Sequence, residues 1–422
     1  MRNSCFALVG LVLASVCLAG CGHAPCRRSG AAQVNSPAEL PSIARGNVEA
    51  NIGTLPKADT HAATETTPTP PYRALTAQQT LCLAVGASPV ARLQQEEIRR
   101  VAFHADGAGT DRLTSLRRAV LFYSSQEIQN QTAGSALEAY YHLAEAEGKA
   151  DLLNQGVAQL SQAQRETESM TKRGLKPAIA LDVWSRQLLT AQSDSIQAQM
   201  TIDKLNSEIR TLTGLRQEGE NWRIWNPEKY EVSEAPIDVD AAVATGVASR
   251  PELQLLRLLV AEAGAGSTSV IDDLLRSINP LLGMNLHPCL AKLLKPIALL
   301  AINCPGSKAE TRRAQLNQYL SDREAAVAEE IRRAASDLQN RTKLVALASA
   351  REHSWADKVA EVRSRQEQGL ASFAEVTSTN IDWFKARADR IQEVMAWYIA
   401  WVKLRQAQGL LPADCQAAGY CR

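Results

Sequence analysis

Apolar residues recur along this chain at alternating steps of three and four. Ala139, Leu143, Ala146, Ala150, Leu153, Val157 and Leu160 step 4-3-4-3-4-3. Leu181, Trp184, Leu188, Ala191, Ser195, Ala198, Ile202, Leu205, Ile209 and Leu212 alternate 3-4 without a miss. Val327, Ile331, Ala334 and Leu338 begin a third seam, and Ile381, Phe384, Ala388, Ile391, Met395, Tyr398 and Val402 form a fourth. Such spacing keeps one stripe of a helix turned toward a partner helix. It predicts four long helices, the third over about Ala309 to Gln366. At 1.5 Å per residue that helix is roughly 90 Å long, too long for the core of a compact domain. Gly174-Leu175 and Gly369-Leu370 turn the chain between helices, and Gly214 and Gly409 end the returning ones.

The two hairpins repeat. Pro89 lies fourteen positions after Leu75, as Pro251 does after Ile237, and each stretch predicts a short helix broken at the proline. A second short helix follows to about His104, and Ala105 to Gly109 reads as a break. The early anchors are 162 residues apart (251 − 89) and the turns 195 apart (369 − 174), so copy two carries about 33 additional residues. They fall near Ile271 to Cys304, the most apolar stretch after the leader. Within it, 280–286 and 296–302 fit two short strands or two helical pieces, each shorter than the roughly 9–11 residues of a tilted membrane strand. The predicted fold is mainly α: long antiparallel coiled-coil hairpins in two pseudo-repeats, with at most a short β-hairpin. The expected divisions are 1–20 leader, 21–72 tether, 73–235 first repeat, 236–411 second repeat and 412–422 tail.

Composition narrows the function classes. The 46 basic and 45 acidic residues leave a net charge of +1, which argues against nucleic acid. Aromatics are only 5%, suited to helices packed through small residues. Arg2 followed by the apolar run Phe6–Leu18 is a secretion signal, too short to span a bilayer. It ends Leu18-Ala19-Gly20-Cys21, which resembles the lipobox of bacterial lipoproteins and implies that Cys21 is acylated after cleavage. Gly22 in place of Asp implies the outer membrane by analogy with lipoprotein sorting. The Pro- and Thr-rich stretch to about Tyr72 reads as a tether, with an extended strap along the helices as the alternative. Cys289–Cys304 and Cys415–Cys421 are close enough in sequence to pair, free buried thiols being the alternative.

Arg250-Pro251-Glu252-Leu253 and its weaker partner Ser88-Pro89-Val90, each leading into a long hairpin with a Gly-Leu turn, resemble the TolC-type outer-membrane efflux proteins. Arg173-Gly174-Leu175 and Gln368-Gly369-Leu370 look like that family's tip turns, and Ala374-Glu375-Val376 resembles the family's continuation beyond the second turn. The likeness covers roughly Ala74 to Leu411. It implies a homotrimer with a membrane β-barrel and a periplasmic helical duct. It further implies a periplasmic adaptor docked at the tips, an inner-membrane pump, and passive export of small molecules. Copy one departs from the pattern, because 111–134 reads as helix and leaves no room for the family's strand pair.

Each candidate residue also has a plain structural reading. Gly174 and Gly369, with Leu175 and Leu370 as knobs, are candidates for adaptor docking, yet any helical hairpin favours glycine at its turn. Asp182 and Glu375 are candidates for a ring of carboxylates constricting the duct, yet acids are ordinary in a helix's first turn. Arg250 marks the repeat, and Pro251 with Glu252 is also ordinary capping chemistry. Trp397, Tyr398 and Trp401 are expected to pack against the body. The six histidines are scattered, and no zinc spacing, phosphate loop or nucleophile elbow occurs. The expectation is therefore a non-enzymatic efflux-duct component without metal or cofactor. The competing expectation is a non-conducting relative acting as a periplasmic coiled-coil scaffold.

Overall fold

The computed structural model describes residues 72–105, 112–215, 222–264, 268–278 and 308–417. Cys21, the leader, the tether up to residue 71, the break at 106–111, the two apolar pieces 280–286 and 296–302, and Cys289, Cys304 and Cys421 lie outside them.

Copy one begins with strand β1 (Tyr72–Ala74) and helices α1 (Ala77–Ala87) and α2 (Pro89–Ala105). Then come the long helices α3 (Arg112–Lys172) and α4 (Leu181–Leu212) and strand β2 (Arg223–Trp225). Copy two has α5 (Val239–Ser249), α6 (Pro251–Ala261), α7 (Thr268–Ile278), α8 (Lys308–Glu367) and α9 (Phe373–Ala407), closed by α10 (Leu411–Ala417). The mainly α, two-hairpin expectation holds. Thr76 starts α1 with a reciprocal capping box to Gln79, and Asp238 caps the copy-two counterpart α5 through the Ala241 amide.

Each long helix packs on its hairpin partner, and the hairpins join through α3 and α9. The layer therefore runs α4–α3–α9–α8, with α4 and α8 at its edges. Short helices α1, α2, α5, α6 and α10 pack around one end. The main core sits there, built on Tyr140, Leu143, Leu253, Leu259, Ile331, Met395 and Leu411, all fully buried. Tyr398 stacks on Tyr141 at 5.0 Å and meets Tyr230 edge-on, so the aromatic patch packs against the body as expected. Farther along, among the described residues, only the long helices continue. Leu152, Phe384 and Ile391 form one small cluster. Leu160, Ala163 and Trp184 of copy one meet Phe373, Ala374 and Ile381 of copy two in another, which places both turns at the same end.

Two details were not part of the sequence expectation. The described strands form a parallel pair, with Tyr72 opposite Arg223 and Ala74 opposite Trp225, whereas the pieces 280–286 and 296–302 that fit a hairpin lie outside the described residues. Parallel pairing needs a long crossover, and here the whole first hairpin supplies it. The strands thus join the start of copy one to its end. The segment expected as a C-terminal tail opens with α10, whose Leu411 and Cys415 are buried. Cys82 on α1 points its Sγ at the Cys415 carbonyl, 3.6 Å away.

Candidate functional site

Both tip turns are the same local structure. After α3, the Leu175 amide donates to the Met170 carbonyl (3.0 Å) and the Gly174 amide to Thr171 (3.0 Å). After α8, Leu370 donates to Arg365 (2.8 Å) and Gly369 to Gln366 (2.9 Å). This is the six-to-one and five-to-two pattern of a Schellman cap, which needs a left-handed residue at its apex. Gly174 and Gly369 supply it at φ 74° and 75°.

The same cap recurs at Gly409 (φ 74°), where Leu410 donates to Arg405 (3.1 Å). Its surroundings are opposite. A Cβ on Gly409 would meet Pro251 at 2.8 Å and Arg250 at 3.1 Å, whereas one on Gly174 or Gly369 would meet nothing. Leu175 and Leu370 are 54% and 67% exposed. Capping chemistry accounts for the glycines at all three places. It does not account for two large apolar side chains held in water at one end of the molecule.

Asp182 and Glu375 both fall in first turns, of α4 and α9. Their neighbours neutralise them: Asp182 pairs with Arg186 at 3.0 Å and Glu375 with Arg365 at 3.1 Å. The Glu375 amide is also capped by Ser372 (3.1 Å). Within one protomer neither acid is an uncompensated charge. The loops differ as well, since α9 starts four residues after its glycine and α4 seven after its own. That offset puts the two acids out of register.

Arg250 does more than mark a repeat. Its side chain is buried and donates to the Ala407 carbonyl at 2.6 Å, holding the end of α9. It also pairs with Glu252 (3.1 Å) and Glu330 (3.2 Å). Burial raises the pKa of the neighbouring Glu127, and the Arg250 charge opposes that shift. This cluster is a structural clamp where α6, α8, α9 and α3 meet.

The edges carry a second signal. Leu189, Ile196 and Met200 on α4 are 64–67% exposed, and Leu344 and Leu347 on α8 are also exposed. On α4, Leu189 and Ile196 lie one position from the seam and Met200 two, spaced seven and four, so a second apolar stripe was legible in the sequence. It was missed because the first stripe already accounted for a helix. Among the described residues no cluster of His, Cys, Asp or Glu suits a metal ion, and no helix is long and apolar enough to cross a membrane.

Solved structures with this architecture are outer-membrane channels. The Campylobacter jejuni CmeC outer membrane channel superposes with a TM-score of 0.56 at 10% identity, over 79% of this chain and 85% of that one. The outer-membrane channel OprN gives 0.59 at 12% identity, over 79% and 89%. The open state of the Neisseria gonorrhoeae MtrE outer membrane channel gives 0.55 at 10%, over 79% and 88%.

The chain has the TolC-type fold.

No protein-family model matches the sequence, and no curated protein matches it. The TolC-type likeness thus lives in the arrangement of helices, which accords with a repeat carried by spacing rather than by shared strings of residues.

Proposed function

We propose that the protein is an outer-membrane efflux-duct component, lipid-anchored at Cys21 and extending into the periplasm. Three copies close into a hollow helical ring. Leu175 and Leu370, presented by Gly174 and Gly369, dock a periplasmic adaptor, which couples the duct to an inner-membrane pump. Asp182 and Glu375 line the narrow end, where each opens its arginine pair to favour cations. Export is passive conduction, without enzymatic chemistry.

The observation that carries this reading is the pair of uncovered apolar edges on the helical layer. Two different edges meeting head to tail form a heterologous contact, which closes into a ring when the rotation fits. Native mass measurement in detergent tests it. A trimer is expected for the wild type and a monomer for Ile196→Glu combined with Met200→Glu. A monomeric wild type refutes the ring. Replacing Leu175 and Leu370 with Glu is expected to abolish cross-linking to the adaptor, and undiminished cross-linking refutes the docking role.

A second reading has its own support. Only residues 106–111 separate α2 from α3, too few for two membrane strands of about 9–11 residues each. If copy two alone contributes a strand pair, a trimer offers six strands, fewer than the roughly eight of the smallest single-chain bacterial barrels. That favours a non-conducting coiled-coil scaffold. Planar-bilayer conductance on the sample used for mass separates the two: steady channels support the duct, and their absence from an intact trimer supports the scaffold.

A further inference from the structure

The described chain enters the fold at Tyr72, and the heading of β1 shows which way it arrives. Its partner β2 gives the direction along α4: Arg223 pairs with Asp203 (2.7 Å), and the next amide, Ile224, donates to Asn206 (2.7 Å). On α4, Asn206 is farther from the tip than Asp203. The strands are parallel, so β1 also runs away from the tip. α3 agrees, since the Tyr140 hydroxyl donates to the Leu75 carbonyl at 2.8 Å, well short of the tip end of that helix. Extended backwards from Tyr72, the chain therefore heads toward the tip along the groove between α3 and α4.

That groove is open where Tyr72 meets it, as a cleft. Its floor is low, because Ala144 and Gly148, one turn apart on α3, carry at most a methyl group. Tyr72 and Trp225 wall it, half-buried and edge-on at 5.8 Å. Asn154 and Gln199 stand at its tipward end. Asn154 accepts the Ser195 hydroxyl through Oδ1 at 3.0 Å, which keeps its N–H groups for another acceptor. From Ala144 to Asn154 the helix rises roughly 15 Å.

The residues that lead into Tyr72 suit this groove. They are Thr67-Pro68-Thr69-Pro70-Pro71, the end of the tether. Proline fixes φ, so such a run favours the polyproline II form before it touches anything and loses little entropy on docking. At about 3.1 Å per residue the five residues cover about 15 Å, the length of the cleft. Three of the five lack an N–H, so the segment asks its groove for apolar contact and donors and brings few donors of its own to bury. Grooves lined by aromatic rings are the usual receivers of this conformation.

We propose that residues 67–71 dock in this cleft as an extended strap, with the Pro70 and Pro71 rings against Tyr72 and Trp225 and Thr67 beside Asn154 and Gln199. The free part of the tether then ends at residue 66, on the flank of the first hairpin and tipward of the main core. The strap requires neither acylation of Cys21 nor closure of a ring, so its failure is distinguishable from failure of the efflux-duct reading.

A photoreactive benzophenone side chain introduced at Thr67 of the full chain tests the strap. After irradiation and peptide mapping, the main adduct is expected within one chain, on α3 or α4 near Asn154 and Gln199. Gly148→Leu fills the floor and is expected to cut that adduct at least about tenfold while far-UV circular dichroism stays unchanged. If that variant does not fold, Pro68→Ser, Pro70→Ser and Pro71→Ser together, which leave the described helices untouched, are expected to give the same loss and decide instead. Adducts scattered over the surface, adducts joining two chains, or a yield indifferent to these changes would each overturn the proposal.

Discussion

The returning helices α4 and α9 share a 3-4 seam but not a fate. Fourteen residues of α9 are buried and only four of α4: Trp184, Ile202, Asn206 and Ile209. The difference is position. α9 lies between α8 and α3, whereas α4 has a single long neighbour. Polar contacts show the same division. α8 and α9 are joined by Arg341–Glu393 (3.2 Å), Arg351–Asp389 (3.3 Å) and Glu352–Arg390. α3 and α4 meet through uncharged pairs, Gln164–Ser185 (3.1 Å) and Ser195–Asn154 (3.0 Å). A heptad seam therefore says that a helix has a partner, and not how many.

The sharpest way to break this comparison is a matched methionine pair. Met395 on α9 is fully buried, and Met200 on α4 is 67% exposed. In denaturant unfolding, Met395→Ala is expected to cost about 2–5 kcal/mol. Met200→Ala should stay within about 0.5 kcal/mol for an isolated protomer. Equal losses would mean that α4 is as enclosed as α9.

The repeat anchors come next. Arg250 and its copy-one counterpart Ser88 are both buried. Arg250→Ala should cost about 2 kcal/mol, because it removes the buried charged donor to the Ala407 carbonyl, while Glu252 keeps Arg323 as a partner. Ser88→Ala loses only an N-terminal cap to the Ala91 amide (3.4 Å), about 1 kcal/mol.

Glu147 and Thr342 extend the comparison to pH. Glu147 has a folded pKa of about 7 against an ordinary 4.5, so the folded state binds more protons between those values. Its contribution to stability is fully present below about pH 4.5, is lost as pH rises to about 7, and is flat beyond. The loss is on the order of 3 kcal/mol. Unfolding of wild type and Glu147→Gln across this range should show the difference shrinking to zero at the acid end. Thr342→Val, at the matching position of copy two, should add no such slope.

The smallest expected effects separate the two kinds of Schellman turn. Gly369→Ala meets only the left-handed penalty, about 1 kcal/mol. Gly409→Ala meets that and the Pro251 and Arg250 contacts, so its melting temperature should fall further. Equal shifts would show that the buried turn has room to spare.

Local and periodic features were legible because each depends on a few neighbouring residues. The third seam predicts about Ala309–Gln366, and α8 runs Lys308–Glu367. Gly174, Gly214, Gly369 and Gly409 all take positive φ, since only glycine ends these helices in the left-handed form without strain. The tip residues were legible as turn residues, but the exposure of Leu175 and Leu370 was not. Partners far apart in sequence were hidden for the same reason. The Arg250 reach to Ala407 crosses 157 residues, and the parallel strands join positions 151 apart, such as Tyr72 and Arg223.

By itself the sequence determined that long amphipathic rods fold back twice at glycines, because hydrophobic period and backbone freedom are local properties. Only the tertiary structure decided that α9 is enclosed while α4 is an open edge, that two leucines are exposed at one end, and that a Glu147 carboxyl oxygen is shut from water while Thr342 meets an indole. Those outcomes depend on which helices become neighbours, and neighbourhood is a property of the packed layer rather than of any one stripe.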